Sequence, residues 1–245
     1  MNIKRLFFFG FITILFSCSR QIKTDGITIT GQIRNAAGMK LSFSELDVDG
    51  IISLDSTILD QEGHFLFHSK PVDAGFYLLK LSTGQNILLL MEKEESANVS
   101  ADLKEVPFEY KVTGSKGSDV LLAFYSQTSV NLHKADSLAS ILRELKDTPG
   151  FYPKSVEFEP LFQKITEDQR SFERKFILKN SHSLASLIVL NYQFGLTRVL
   201  NEKSDFDLYV QLDTALSKTY ASNKHLLLHH KKVIEHQRVE AMKQF

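Results

Sequence analysis

The chain has 245 residues, with 29 basic and 29 acidic side chains, 19 phenylalanines, no tryptophan and one cysteine. This charge balance provides no overall basic field that would attract nucleic acid, so we expect no nucleic-acid partner. A single cysteine excludes an internal disulfide and a Cys-x-x-Cys redox pair. The length suffices for one large domain or two smaller ones, and their stability must come from hydrophobic cores.

The N-terminus predicts a lipoprotein signal peptide over residues 1–17. Lys4 and Arg5 precede an apolar run, Leu6–Phe16, that is too short for a membrane-spanning helix, which needs roughly 20 residues. The run leads into residues 15–18, with the sequence LFSC, which resembles the lipobox of bacterial lipoproteins. The alternative is an ordinary signal peptide followed by an incidental cysteine.

Cys18 is the predicted lipidation site and the predicted link to a membrane. Two or three acyl chains on this sulfur would hold the protein firmly, because each buried methylene contributes about 0.8 kcal/mol. Cleavage before Cys18 leaves 27 basic against 29 acidic residues, and residues 18–26 then form a polar tether. Ser19 follows the cysteine and no acidic run comes after it. We therefore expect a cell-envelope location, with the periplasmic face of the outer membrane favoured over the inner membrane or the cell surface.

Residues 27–113 have the pattern of a β domain. Ile27–Ile33 alternates apolar and polar residues, as a half-buried strand does. Turn signals recur every eight to twelve residues, which predicts about eight strands in an antiparallel β-sandwich or small barrel. The further predicted strands are Leu41–Leu46, Ile51–Leu59, His64–His68, Phe76–Leu81, Ile87–Met91, Val99–Leu103 and Phe108–Val112.

Residues 114–245 predict an all-α segment, so the fold class is α+β. Apolar residues recur at spacings of three and four from Val120 to Leu145, as in an amphipathic helix. Ser118 is the expected cap of this helix after a flexible hinge, and Pro149-Gly150 together with Pro153 is expected to stop it. The later helices are predicted at 158–176, 184–194, 206–220 and 224–242.

No motif in the chain predicts catalysis, a cofactor or a metal. Residues 114–118 lack the spacing of a phosphate-binding loop, and no nucleophile elbow is present. His225 and His229 stand four residues apart and could share a metal, but a third ligand is missing at useful spacing unless Glu235 or another element supplies it. Neighbouring lysines would oppose a cation. We expect the four histidines of the last helix to be solvated: His225, His229, His230 and His236. A hydrolase or ligand-binding enzyme would need a deep pocket between the two parts, with converging acids or histidines.

Three short motifs resemble the acceptor site of periplasmic O-glycosylation in Bacteroidota. They begin with an aspartate that is followed by a hydroxyl residue, at 55–57, 136–138 and 213–215. The candidate acceptors are Ser56, Ser137 and Thr214. Motifs of three residues arise often by chance.

Several segments form one ordered series: Ile27–Ile33, Leu54–Thr57, Asp60–Phe65, Gly75–Leu79 and Val112–Ser118. Taken in this order, they resemble the N-terminal β module, a domain of unknown function, of lipoproteins in the TlpA/ResA-like thiol:disulfide oxidoreductase group of Bacteroidota. Asn180–Ser186 resembles the helical spacer of that family. In the family a thioredoxin domain with a Trp-Cys-x-x-Cys motif follows, and no position of this sequence matches that motif.

The leading interpretation is a membrane-anchored lipoprotein that acts as a non-catalytic binding module. The resemblance implies an alternative, in which the chain is the accessory, non-catalytic portion of a thiol:disulfide oxidoreductase system. Its thioredoxin domain would then be encoded separately or lost, and a thioredoxin-like protein would be its partner.

Overall fold

The computed structural model describes residues 25–107 and 109–243, so the predicted signal peptide and Cys18 lie outside the described residues. The N-terminal half contains eight strands, which agree with the predicted ones to within a few residues at each end. They are β1 Ile27–Arg34, β2 Lys40–Asp47, β3 Gly50–Ile58, β4 His64–Ser69, β5 Gly75–Leu81, β6 Asn86–Met91, β7 Ser96–Asp102 and β8 Tyr110–Thr113.

The strands form two separate four-stranded sheets, which makes the β part a sandwich rather than a barrel. We call the first the outer sheet, with the order β4-β1-β7-β8, and the second the middle sheet, with the order β3-β2-β5-β6. All neighbours pair antiparallel except β1 and β7, which are parallel. The predicted antiparallel sandwich is thus confirmed, with one parallel pair in the middle of the outer sheet.

The core between the two sheets follows from the alternation of the strands. In β1 the side chains of Ile27, Ile29 and Ile33 point inward and are fully buried, whereas the polar residues that alternate with this face are partly exposed. The rings of Phe43 on β2 and Phe67 on β4 stack across the core with centroids 5.1 Å apart. Burial of such large apolar side chains supplies the stability that the chain cannot take from disulfides.

Five helices follow the sandwich: α1 Lys116–Leu145, α2 Phe151–Lys179, α3 Ala185–Leu190, α4 Phe206–Tyr220 and α5 Lys224–Met242. α1 ends at Leu145, shortly before Pro149-Gly150, but the prediction that Pro153 helps to end it was wrong. Pro153 lies in the first turn of α2, where a proline removes no helical hydrogen bond. The prediction for α3 was too long, because only six residues of Leu184–Phe194 are helical.

The helices pack on the second face of the middle sheet, so the molecule has three layers. Neighbouring residues of β5 point into different cores: Tyr77 packs between the sheets, whereas Phe76 packs among the helices. On β6, likewise, Leu89 packs between the sheets and Leu90 packs among the helices. Burial on both faces explains why β6 is an unbroken apolar run instead of an alternating one. Within the described residues no helix is both long and apolar enough to cross a bilayer.

Candidate functional site

One end of the sandwich, formed by β6 and β8, is closed by α1. The hydroxyl of Ser115 caps this helix and donates to the carbonyl of Leu90 at 2.7 Å, and the hydroxyl of Ser118 accepts from the Leu90 amide at 3.1 Å. Gly117 allows this approach, because a Cβ there would lie 2.6 Å from Cγ of Leu90. The predicted flexible hinge is therefore a buried joint, and the helix cap is Ser115 instead of Ser118.

The end of α4 and the start of α5 hold the helices against the middle sheet. Asn223 donates to the carbonyl of Ala74 at 2.7 Å, and the hydroxyl of Tyr220 donates to Glu92 at 2.6 Å. Lys224 reaches the carboxylates of Glu45 and Asp47, the latter at 2.8 Å. These contacts join residues more than a hundred positions apart in the chain, and they decide which part of the middle sheet is covered.

The opposite end of the sandwich, formed by β3 and β4, is left open. β3 is the edge strand of the middle sheet and β4 is the edge strand of the outer sheet. Every residue of β3 except Thr57 is exposed, and four of the exposed side chains are large and apolar: Ile51, Ile52, Leu54 and Ile58. We call this strand with its exposed isoleucines the open edge. The sequence predicted a strand here, but it did not predict that the strand would remain uncovered.

A β-bulge in β3 places two of these isoleucines on the same face. The register to β2 shifts at Leu54, so that Leu46 pairs with Ile51 before the bulge and Lys40 pairs with Ile58 after it. Paired residues of adjacent strands point to the same face of a sheet. Ile51 and Ile58 therefore share the helix-side face of the middle sheet, although their odd spacing would put them on opposite faces of a regular strand.

The histidines of α5 do not form a common site. His229 is buried and its Nε2 lies 3.0 Å from the carbonyl of Tyr209, so the prediction of a solvated side chain was wrong for this residue. Burial also lowers the pKa of His229 below its usual value. His225 meets the ring of Phe76 edge-on. The remaining two contact other residues: Nδ1 of His230 lies 2.9 Å from a carboxylate oxygen of Asp213, and His236 stacks on Phe206.

One group of described side chains has possible metal ligands close together. Ligand atoms of Asp60, Glu62 and His64 lie within 4.8 Å of one another in the turn before β4. All three residues are exposed. One oxygen of Asp60 accepts from the backbone amides of Glu62 and His64, at 3.0 and 2.7 Å. These hydrogen bonds explain why the three residues lie close together, because they form a turn that the Asp60 side chain closes.

The three candidate glycosylation residues are exposed but lie in regular structure. Ser56 belongs to the open edge. Ser137 lies in α1, where its hydroxyl donates to the carbonyl of His133 at 2.8 Å. Thr214 lies in α4 and donates to the carbonyl of Val210 at 2.9 Å. Of the three, only Ser56 has a backbone in extended conformation.

A polar network that the sequence analysis missed lies between α1 and α2. Gln169 is fully buried; its amide nitrogen donates to Glu173 at 2.9 Å and to Thr128 at 3.2 Å, and its oxygen accepts from Asn131 at 3.0 Å. One oxygen of Glu173 has no hydrogen-bond partner among the described residues. Burial, together with the nearby Asp205, raises the pKa of Glu173 to about 7 against the opposing hydrogen bond from Gln169. The apolar spacing of α2 could not reveal these residues, because polar side chains at core positions look like breaks in the pattern.

Two surface grooves lie on the helices of the described part of the chain. One, of about 800 Å³, runs along α2 and contains Tyr152, Val156 and Phe162 beside Glu159. The other, of about 520 Å³, lies on α5 and contains acids, lysines and His236. Neither groove lies between the sheets and the helices, where a hydrolase or ligand-binding enzyme would need a deep pocket.

The fold is that of a two-sheet β-sandwich with a helical layer on one face. A family model for a domain of unknown function (DUF4369) matches residues 27–121, from β1 into the first turns of α1. This match agrees with the prediction of a domain of unknown function over the β part, and it ends where α1 has just closed one end of the sandwich. No curated protein sequence matches the chain.

Among solved structures, the chain is similar to a 9R-lipoxygenase from Cyanothece PCC8801. The identity is 13%, the TM-score is 0.25, and the similarity covers 68% of this chain and 31% of the lipoxygenase chain. The chain thus spans less than a third of the length of that protein. A likeness this small says nothing about the fold or activity of this chain.

Proposed function

We propose that this chain is a lipid-anchored, non-catalytic module of the bacterial cell envelope that binds another protein. The observation that carries the proposal is the unequal covering of the sandwich. The start of α1 closes the β6/β8 end and Asn223 holds the helices against the middle sheet, whereas the open edge keeps four large apolar side chains in solvent. Exposed apolar residues clustered on one surface are typical of interaction sites.

The anchor is the second part of the proposal. The signal-peptide pattern and the LFSC motif support lipid on Cys18 and an envelope location, with the periplasmic face of the outer membrane favoured. Replacing Cys18→Ser should move the protein from the membrane fraction to the soluble fraction of the expressing cells. Mass spectrometry that finds a free thiol at this residue in the membrane-bound protein would contradict the anchor.

The binding role is tested by chemical cross-linking in native cells, followed by affinity capture of the tagged chain. We expect a defined protein to be enriched over the background captured with an unrelated lipoprotein of the same membrane. Absence of any specifically enriched protein, in repeated captures from cells that express the chain normally, would contradict the binding role.

The alternative function, an accessory part of a thiol:disulfide oxidoreductase system, rests on the resemblance to TlpA/ResA-like lipoproteins of Bacteroidota. Under this alternative the captured partner is a thioredoxin-like protein. An insulin-reduction assay on the purified chain should show no activity under either function. A Cys-x-x-Cys protein among the captured partners would favour the accessory role.

A further inference from the structure

The open edge combines apolar side chains with an acidic surrounding. Apart from Lys40, the first residue of β2, the segment that contains β2, β3 and β4 has six acidic residues and neither lysine nor arginine, from Leu41 to Ser69. Lys224 contacts two of the acids, Glu45 and Asp47. The other four are exposed around the open edge: Asp49, Asp55, Asp60 and Glu62. An occupant of complementary charge is therefore basic.

The backbone of β3 is paired on one side only. Its neighbour in the middle sheet is β2, and on its other side no strand of the described residues continues the sheet. Natural edge strands are commonly protected by lysine, proline, short length, inward-pointing charges or β-bulges. β3 is nine residues long and contains neither lysine nor proline. Its bulge at Leu54 bends the edge but leaves a run of extended backbone on each side.

The two faces of β3 differ in chemistry. Ile51 and Ile58 lie on the helix-side face and are 63% and 62% exposed. Asp55 pairs with Phe43 of β2, so it points to the other face, and it too is exposed. A strand laid beside β3 would thus meet the two isoleucines on the helix-side face, and a carboxylate together with the exposed Ile52 on the other. Its own residues should alternate accordingly.

We propose that β3 binds an extended, basic segment of a partner protein as an added strand of the middle sheet. Backbone hydrogen bonds to the free edge would hold the segment, as in other cases of strand addition. Apolar side chains of the segment would pack on Ile51 and Ile58, and the lysines or arginines that alternate with them would face Asp55. This inference rests on the proposed binding function and names its surface and the chemistry of its partner.

The test uses a fluorescent nine-residue peptide of alternating valine and lysine as the probe, with the full-length chain purified in mild detergent. Fluorescence anisotropy should show saturable binding of this peptide, whereas an alternating valine and glutamate peptide should not bind. Equal binding of both peptides would overturn the inference.

Backbone pairing is tested with two N-methylated versions of the probe, one methylated at odd positions and one at even positions. The amides of a strand point alternately to its two sides, so only one set would face β3. One version should lose binding and the other should keep it. If both versions bind like the unmodified peptide, the contact is merely electrostatic and strand addition is wrong.

The position of the site is tested with the double variant Ile51→Lys/Ile58→Lys. We expect it to weaken binding of the valine–lysine peptide about tenfold or more, because it removes the apolar contacts and adds like charge. The matched control is Leu178→Lys on α2, whose side chain is 51% exposed and which should bind like the wild type. Circular dichroism shows whether each variant is folded. Unchanged binding by a folded double variant would overturn the site.

The outcomes separate this inference from the binding function itself. A captured partner whose cross-links map away from β3 would overturn the open edge as the site, while the binding function stands. Failure to capture any partner would overturn the function. A concentration-dependent dimer that the double variant abolishes would show that a second copy occupies the edge, and would overturn the choice of a basic partner.

Discussion

The α1–α2 interface and strand β3 place side chains in opposite environments: one buries polar groups and the other exposes apolar ones. The interface buries Gln169 and Glu173, two of its polar residues, whereas β3 exposes Ile51 and Ile58. Both patterns have a cost, since an unpaired buried polar group and an exposed apolar one are each unfavourable. The interface offsets most of its cost with internal hydrogen bonds, and β3 has no such compensation within the described chain.

This difference separates a structural role from a role in binding. A buried network whose members satisfy one another can determine how two helices pack, because a shifted packing would leave several groups unpaired. Exposed isoleucines on an edge strand contribute little to the stability of the free protein. Their side chains gain burial only when another molecule covers them, which is the basis of the proposed binding role.

The largest effect should come from removing the centre of the buried network. Gln169→Ala leaves Thr128, Asn131 and Glu173 without the amide that joins them, and we expect the free energy of unfolding to fall by about 3 kcal/mol. The matched control is Gln163→Ala, an exposed glutamine on the same helix, which should change it by less than about 0.5 kcal/mol. Urea unfolding measures both. Similar values for the two variants would contradict a structural role of the network.

A pH-dependent effect of similar origin should follow from Glu173. Its pKa is raised from 4.5 to about 7 by burial, so the folded chain holds a proton that the unfolded chain releases. The contribution of this group to stability is full below pH 4.5 and decreases by about 3 kcal/mol as the pH rises to 7.

Urea unfolding at several pH values measures this change. The control is Glu173→Gln, which does not ionise, so the difference between wild type and variant isolates the carboxyl group from the titration of His225 and His229. A difference that stays constant from pH 4.5 to 7 would show that the pKa of Glu173 is not raised.

The smallest effect on stability should come from the open edge. Ile58→Ser should alter the free energy of unfolding by less than about 0.5 kcal/mol, because its side chain is mostly in solvent already. Ile33→Ser is the control in the core of the sandwich, and there we expect a loss of about 3 kcal/mol or more. Thermal or urea unfolding compares them. A large loss with Ile58→Ser would mean that β3 serves the stability of the fold.

The candidate site was only partly predictable from the sequence. The strand at Ile51–Leu59 was predicted, and the absence of lysine and arginine from 41 to 69 can be read directly from the residues. The bulge at Leu54 was not predictable, since it depends on how β3 pairs with β2. The burial of His229 was not predicted for a related reason: its hydrogen-bond partner, the carbonyl of Tyr209, lies on another helix.

The sequence by itself determined the elements of this protein and their order: eight strands, then helices, with fold class α+β. Periodicity and turn residues are local, and they act on the backbone within a few positions. Only the tertiary structure decided which end of the sandwich is closed and which is open. The closed end depends on contacts such as Ser115 with Leu90, and the covered part of the middle sheet on contacts such as Asn223 with Ala74. These partners are distant in the chain and leave no local pattern.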